Sequence, residues 1–118
     1  MTANFDNPRR GEIWLAQTGG KRHAVVVVSI NSRNDSERMK SVLAVPFGSY
    51  GAVGPTSVRM EPGETGLPEP SFLKAHFISV VEKHAFIERL PRRLSDRRMR
   101  ELVAMITRAV DPDAAFQP

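Results

Sequence analysis

The sequence has no cysteine, few aromatic residues and no long apolar run. Without cysteine the chain forms no disulfide, and it has neither a catalytic thiol nor a cysteine-based zinc site. Its longest apolar runs, such as residues 24–28, are far shorter than the roughly 20 residues of a membrane-spanning helix. The first ten residues are polar and include a proline, which is unlike a signal peptide. These absences favour a cytoplasmic protein with no membrane partner.

Several catalytic signatures are also missing. The chain has no Walker A loop, no GxGxxG before a helix, no HExxH and no Gly-x-Ser-x-Gly elbow. Its three histidines, His23, His76 and His84, are too scattered to form a recognisable metal-ligand set. We therefore expect no metal and no cofactor.

What is present fits one small basic domain. The 118 residues are 41% hydrophobic, which is typical of a globular chain with its own core. The net charge is +4, and residues 83–110 hold eight Lys/Arg against three acidic residues. Such a balance favours a polyanion such as nucleic acid, although many basic surfaces are only solvated faces.

The apolar pattern predicts five strands joined by turns and loops. The strands are expected at residues 12–16, 24–30, 41–47, 56–60 and 71–81, the last with Ser79 as the candidate point for a break. Gly19 and Gly20 predict a tight turn after the first strand, and the unbroken valines of the second indicate burial on both faces. Residues 31–40 are expected to form a loop or short helix, and residues 48–55 and 61–70 to form loops.

A C-terminal helix follows Ser95, which is placed to cap it, and stops before Pro112. One apolar face of this helix is predicted from Met99, Leu102, Val103, Ile106 and Val110. Short strands followed by one amphipathic helix indicate a mainly β fold, a small antiparallel barrel with the helix packed on it. We expect a flexible lead at residues 1–8, the domain at 9–110 and a tail at 111–118.

Polar residues at the ends of strands are the candidates for chemistry. Arg22 lies at the start of a buried strand, where a guanidinium can grip phosphate, or only solvate a turn. Gly48 and Ser49 follow the third strand and offer backbone N–H and a hydroxyl to an anion, although the residues alone favour an ordinary turn here. Strand alternation would place Lys74 and His76 on one face, where they serve either as a proton-transfer pair or as plain surface residues.

RNA cleavage needs little more than these groups. A base takes the 2′-OH proton, cations hold the charge on phosphorus, and an acid protonates the leaving 5′-oxygen. Arg22, Ser49, Lys74 and His76 have the chemistry for these roles if the fold brings their three segments together.

The order of these motifs resembles the MazF/PemK (Kid-like) toxins of type II toxin–antitoxin systems. The similar segments are Arg-Gly-Glu-Ile-Trp at 10–14, Gly-Lys-Arg at 20–22, Val-Leu-Ala-Val-Pro at 42–46, Gly-Glu-Thr-Gly-Leu at 63–67 and Arg-Leu-Ser at 93–95. The resemblance covers about residues 9–110. It implies an SH3-like barrel, also found in CcdB-type gyrase poisons, that works as a homodimer. It further implies metal-independent, sequence-selective cleavage of single-stranded RNA and inhibition by a cognate antitoxin.

The resemblance also implies roles for individual residues. Arg22 matches the family's loop arginine, which binds phosphate, and Ser49 matches the serine of a Thr-Ser pair. Lys74 and His76 stand where Kid/PemK members have an arginine acid and an aspartate base. Glu12 matches the glutamate of the opening motif, with a supporting place in RNA binding.

This chain departs from the family pattern at several positions. Gly48 replaces the threonine of the pair, His23 replaces a proline after the loop arginine, and the loop at residues 16–21 is short. We hypothesise that His76 replaces the carboxylate base.

Two other functions are compatible with the same fold. The loss of a hydroxyl at Gly48 is compatible with a non-catalytic member that binds RNA or an antitoxin. A CcdB-like gyrase inhibitor is the weaker alternative, because such proteins act through a tryptophan-rich C-terminus and the only tryptophan here is Trp14.

Overall fold

The computed structural model describes residues 7–114, which form an antiparallel β structure with a C-terminal helix. Residues 1–6 of the expected flexible lead and residues 115–118 of the expected tail lie outside the described residues. The strands are β1 (Glu12–Thr18), β2 (Lys21–Val27), β3 (Ser41–Gly48), β4 (Ser57–Met60), β5 (Ser71–Lys74), β6 (Ser79–Glu82) and β7 (Phe86–Arg93). The helices are α1 (Asn31–Asn34), α2 (Pro62–Thr65) and α3 (Asp96–Val110).

The strands form one sheet in the order β4-β5-β3-β2-β1-β7, and β6 pairs with β3 on the edge that β5 also uses. Within residues 7–114, β4 and β7 are the first and last strands of this order. They do not pair with each other, so the barrel is not closed by hydrogen bonds. The predicted fold class, a mainly β CcdB/MazF-type architecture with a C-terminal helix, is confirmed.

The turn between β1 and β2 is set by two glycines. Gly19 and Gly20 have φ angles of +57° and +80°, the positive values that a two-residue type I′ hairpin turn requires. The turn pairs Thr18 with Lys21 and Gln17 with Arg22, and it confirms the prediction for this segment. Arg22 is thereby fixed beside the turn of the hairpin.

Two apolar clusters occupy the two faces of the sheet. One lies under α3 and includes Ile13, Val26, Leu73 and Leu102, and the other is built around Trp14. Strand β2 contributes to both clusters because its successive side chains point to opposite faces. The predicted burial of both faces of this strand is confirmed by Val25–Val28, all of which are buried.

The segment predicted as one long strand at residues 71–81 is divided. A 3₁₀ turn at Ala75–Phe77 separates β5 from β6, which begins at Ser79, so the break lies directly before the residue at which it was expected. The turn also ends the strand alternation after Lys74. The alternation that predicted a shared face for Lys74 and His76 therefore does not apply. The prediction of a shared face failed because Ala75 and Phe77 continue the apolar pattern and give no turn signal.

The segment at residues 61–70 is not a loop throughout. One helical turn, α2, begins after Glu61, and a capping box joins the side chains of Glu61 and Glu64 to each other's backbone N–H groups. Gly66 ends it with a φ of +78°, the left-handed value that favours glycine.

Strand β7 has no counterpart in the sequence prediction. It is an edge strand paired with β1, with register shifts on the way, and most of its side chains are exposed. An exposed strand without alternation gives no periodic signal, and Pro91 further obscures it.

Helix α3 is capped as predicted, since Ser95 Oγ accepts a hydrogen bond of 3.1 Å from Arg98 N. Its predicted apolar face is partly wrong. Val103 and Val110 are 41% and 74% exposed, whereas Met105 is buried with Met99 and Leu102. The face of α3 that is buried against the sheet is therefore narrower than its apolar residues alone indicate.

Candidate functional site

A cleft of about 600 Å³ opens where β2 begins and β3 ends. We call it the Arg22 cleft. Its lining includes Arg22, His23, Gly48 and Ser49 from these two strands and the loop after β3, and Arg59 with residues 67–72 from the other part of the sheet. Antiparallel pairing of Val25 with Pro46 explains this grouping, because the same register continued brings position 22 beside position 49.

A second cleft of about 530 Å³, the Lys74 cleft, shares part of this lining. His23, Phe47, Gly48 and Ser49 line both clefts, and Lys21, Tyr50, Lys74 and Phe77 are added in the second. The structure therefore brings Arg22, Gly48, Ser49 and Lys74 into two adjoining clefts.

Two cations of these clefts, Arg22 and Lys74, are available to an anion. Among residues 7–114, the exposed Arg22 side chain makes no hydrogen bond or ion pair. Lys74 Nζ lies 5.8 Å from the centroid of the Phe77 ring, within cation–π range. A Cβ built on Gly48 would lie 3.8 Å from the same Nζ, so the lysine reaches directly over this glycine. Arg59, by contrast, is paired with Glu61 at 2.8 Å.

His76 lines neither cleft. Its Nδ1 lies 2.8 Å from Thr56 Oγ1, and its ring centroid is 4.5 Å from that of Phe77. The side chain is exposed and belongs to the 3₁₀ turn after β5. Phe77, which does line the Lys74 cleft, packs against His76 and lies within cation–π range of Lys74.

His23 is the residue that sequence reasoning passed over. It is half-buried and lines both clefts beside Arg22. The only signal was its position directly after Arg22, where the family pattern has proline. A second imidazole thus lines the clefts that hold Arg22 and Lys74, and the predicted one does not.

Glu12 belongs to a different part of the molecule, at the far end of β1. Its Oε1 accepts hydrogen bonds from Arg9 N at 2.8 Å and from Trp14 Nε1 at 3.0 Å. Arg89 forms an ion pair with Oε2 at 3.3 Å. These contacts give Glu12 a structural role in holding the start of β1, and it lines neither the Arg22 cleft nor the Lys74 cleft.

Residues 7–114 hold neither a cluster of metal ligands nor a membrane-spanning helix. No group of three or more His, Asp or Glu side chains there is arranged to hold a metal ion. No helix in that part of the chain is long and apolar enough to cross a membrane.

The comparison with protein families decides the relationship. The family model described as PemK-like, MazF-like toxin of type II toxin–antitoxin system matches residues 9–110. The chain belongs to this family. The resemblance drawn from the opening Arg-Gly-Glu-Ile-Trp motif is thereby confirmed. No curated protein matches this chain significantly.

Solved structures show the same fold. An endoribonuclease in complex with its cognate antitoxin, from a mycobacterial species, has a TM-score of 0.74 at 23% identity, over 87% of this chain and 94% of that one. A mycobacterial endoribonuclease has a TM-score of 0.74 at 21% identity, over 92% and 95% of the two chains. Mycobacterium tuberculosis toxin MazF-mt6 has a TM-score of 0.73 at 18% identity, over 85% and 96%.

Proposed function

We propose that this family member is a toxin-type endoribonuclease that cleaves single-stranded RNA by attack of the 2′-hydroxyl, without a metal cofactor. Two structural neighbours are named endoribonucleases, and one of them was solved with a cognate antitoxin. The observation that carries the proposal is the meeting of Arg22, Ser49 and Lys74 in two adjoining clefts. The proposal includes residues 9–110 as the working domain, a homodimer, an antitoxin partner and a cytoplasmic location.

The groups in these clefts match the needs of the reaction. The Arg22 guanidinium grips the scissile phosphate in bidentate fashion and stabilises the charge that develops on its oxygens. Lys74 adds a second cation, and the Ser49 hydroxyl with the backbone at Gly48 holds a phosphate oxygen. The open approach over Gly48 lets the RNA backbone come close to the lysine.

The assay for this function uses long single-stranded RNA in the presence of EDTA. The wild type is expected to cleave it, and Arg22→Gln is expected to lower kcat about 10²–10³-fold because one charged donor to the phosphate is lost. Arg38→Gln is the matched control, since this exposed arginine lies outside both clefts. Cleavage that requires added metal, or an Arg22→Gln variant as fast as the control, contradicts the proposal.

Two histidines are candidates for the general base that takes the proton from the 2′-hydroxyl. The sequence hypothesis gives this role to His76, whereas the lining of both clefts favours His23 as a second candidate. Removing the general base is expected to lower kcat about 10²–10⁴-fold and to remove the acidic limb of the pH–rate profile, on which protonation of that base lowers the rate. Measuring His23→Gln and His76→Gln side by side identifies the base, and a wild-type rate for His76→Ala rejects the original assignment.

A non-catalytic member of the family is the second candidate function. The observation in its favour is Gly48, which supplies no hydroxyl where the family pattern has threonine. In the same assay this function predicts binding of the RNA, or of an antitoxin, with no cleavage by the wild type.

A further inference from the structure

Two further clefts, rich in arginine, adjoin each other at the other end of β1. The first, about 380 Å³, is lined by Glu12 and by Arg89, Leu90, Pro91, Arg92 and Arg93 of β7. The second, about 240 Å³, lies at the start of α3 and is lined by Arg10, Asn31, Arg93, Asp96, Met99 and Arg100. Arg93 lines both, so the two form one surface, which we call the β7 surface.

The charge of this surface is strongly unbalanced. Five arginines line it against two carboxylates, those of Glu12 and Asp96. Glu12 is already engaged by Arg89, Arg9 N and Trp14 Nε1. Across residues 7–114, the side chains of Arg92 and Arg100 make no hydrogen bond or ion pair, so at least two guanidinium groups are available to a ligand.

Part of the surface is held in place before any ligand binds. Arg93 NH2 donates a 2.8 Å hydrogen bond to the carbonyl of Arg10, and Arg10 NH1 donates one of 2.6 Å to the carbonyl of Val28. The stem of Arg92 passes close to Gly66, since a Cβ there would lie 2.9 Å from Arg92 Cγ. Guanidinium groups fixed in this way lose less conformational entropy when they bind an anion.

The composition of the lining indicates phosphate rather than a protein partner. Every cation of the two clefts is arginine, whose planar fork matches a phosphate. Neither cleft has an aromatic side chain in its lining, although aromatic anchors are common in protein interfaces and serve base stacking in single-strand binding. A ligand held here is therefore recognised through a charged backbone, without sequence preference.

The β7 surface is separate from the Arg22 cleft. Glu12 pairs with Arg93 at one end of β1, and Gln17 pairs with Arg22 near the other. Five strand residues span about 17 Å, which is the length of about five stacked nucleotides. One phosphate cannot contact both sites, but one RNA strand can.

We infer that the β7 surface binds backbone phosphates of the substrate RNA outside the cleaved segment and so increases affinity for longer RNAs. The inference rests on the proposed function for its ligand, and it adds a second, sequence-independent binding site. An alternative explanation is that the arginines only keep the β7 edge from pairing with another sheet. That role predicts no effect of RNA length.

The test compares two double variants that remove equal charge. Arg92→Gln/Arg100→Gln removes two guanidinium groups of the β7 surface, and glutamine keeps part of the stem beside Gly66. Arg38→Gln/Lys40→Gln removes two exposed cations that line neither β7 cleft. Fluorescence anisotropy measures binding to 2′-O-methyl RNAs of about 3 and about 15 nucleotides, which are shorter and longer than the spacing of the two sites. These RNAs have no attacking hydroxyl, so binding is measured without cleavage.

For the longer RNA, the β7 variant is expected to bind about tenfold more weakly than the control variant. The slope of log affinity against log salt is expected to fall by about 1.4, since each phosphate contact to a single strand contributes about 0.7. The loss for the shorter RNA is expected to be smaller. If Arg92→Gln/Arg100→Gln does not fold by circular dichroism, Arg100→Gln alone is used, with half the slope change expected.

Equal affinities and slopes for the two double variants overturn the inference. The inference is also overturned if a poly-glutamate peptide binds the wild type but not the β7 variant while RNA binding is unchanged. Such a result shows that the surface serves an acidic protein. Failure of the proposed function is seen separately, as absence of cleavage of unmodified RNA by the wild type. In that case a length-dependent loss of binding in the β7 variant still supports the inference.

Discussion

At the residue scale, Arg98 joins two helices that are distant in sequence. Its Nε and NH2 donate hydrogen bonds to the two oxygens of Glu64 in α2, at 2.7 and 3.3 Å, and its NH1 donates one of 2.6 Å to Glu101. These hydrogen bonds hold the pKa of the Glu64 carboxyl below its ordinary value, although partial burial opposes the shift. The same contacts raise the pKa of Arg98.

This ion pair predicts a pH-dependent part of the folding stability. A carboxyl with a lowered folded pKa contributes stability above its unfolded value, about 4.3, and loses it as the pH falls through the folded value. Arg98→Gln is therefore expected to lower the free energy of unfolding by about 2 kcal/mol at pH 7 and by less at pH 3. Urea unfolding at both pH values measures the difference, with Arg100→Gln as control. An equal loss at pH 7 and pH 3 contradicts the expectation.

Gly66 and Gly63 offer a second comparison at this scale. Gly66 has φ +78° and Arg92 Cγ close to where a Cβ would lie, whereas a Cβ at Gly63 would meet nothing within 4 Å. Gly66→Ala is expected to destabilise the fold by about 1–2 kcal/mol through backbone strain and crowding. Gly63→Ala, inside α2, is expected to be neutral or stabilising by up to about 1 kcal/mol. Thermal unfolding of both variants checks the contrast, and equal melting temperatures refute it.

At the element scale, the sequence predicts best where local chemistry is decisive. The Gly19-Gly20 turn and the Ser95 cap depend on nearest neighbours, and both were predicted. β7 was not, because an edge strand with exposed side chains is held by pairing with β1, which local patterning does not reveal. The 3₁₀ turn at Ala75–Phe77 was missed for a similar reason, since its residues suit a strand equally well.

The buried stripe of α3 predicts unequal effects along the helix. Leu102 is fully buried against the sheet, and Val110 is 74% exposed although it lies on the predicted apolar face. Leu102→Ala is expected to lower the free energy of unfolding by about 2–5 kcal/mol because it leaves a cavity. Val110→Ala is expected to change it by less than about 0.5 kcal/mol. Urea unfolding of the two variants measures this, and similar losses would show that the helix packs with the face first predicted.

At the scale of the whole molecule, the candidate site depends on strand order rather than on any one segment. The β2–β3 register groups Arg22 with Ser49, and the β3–β5 pairing adds Lys74. The motif order pointed to these residues through family resemblance, but spacing alone does not place them together. His23 was overlooked because its place in both clefts becomes visible only when these strands are assembled.

The proposed homodimer is also tested at this scale. Large exposed apolar side chains, including Tyr50, Val53, Phe77 and Val80, occur on the described surface, as expected of a chain that buries them against a second copy. Sedimentation equilibrium is expected to give twice the 13.1 kDa mass of one chain. A monomer at micromolar concentration would contradict this part of the proposed function.

The pairing of β1 with β7 has a consequence for synthesis of the chain. The first strand pairs on one side with β2, which follows at once, but on the other side with the last strand. A chain emerging from the ribosome therefore keeps one edge of β1 open until β7 has been translated. Such long-range closure slows folding, and a product that terminates before residue 86 lacks both β7 and the helix that covers the core.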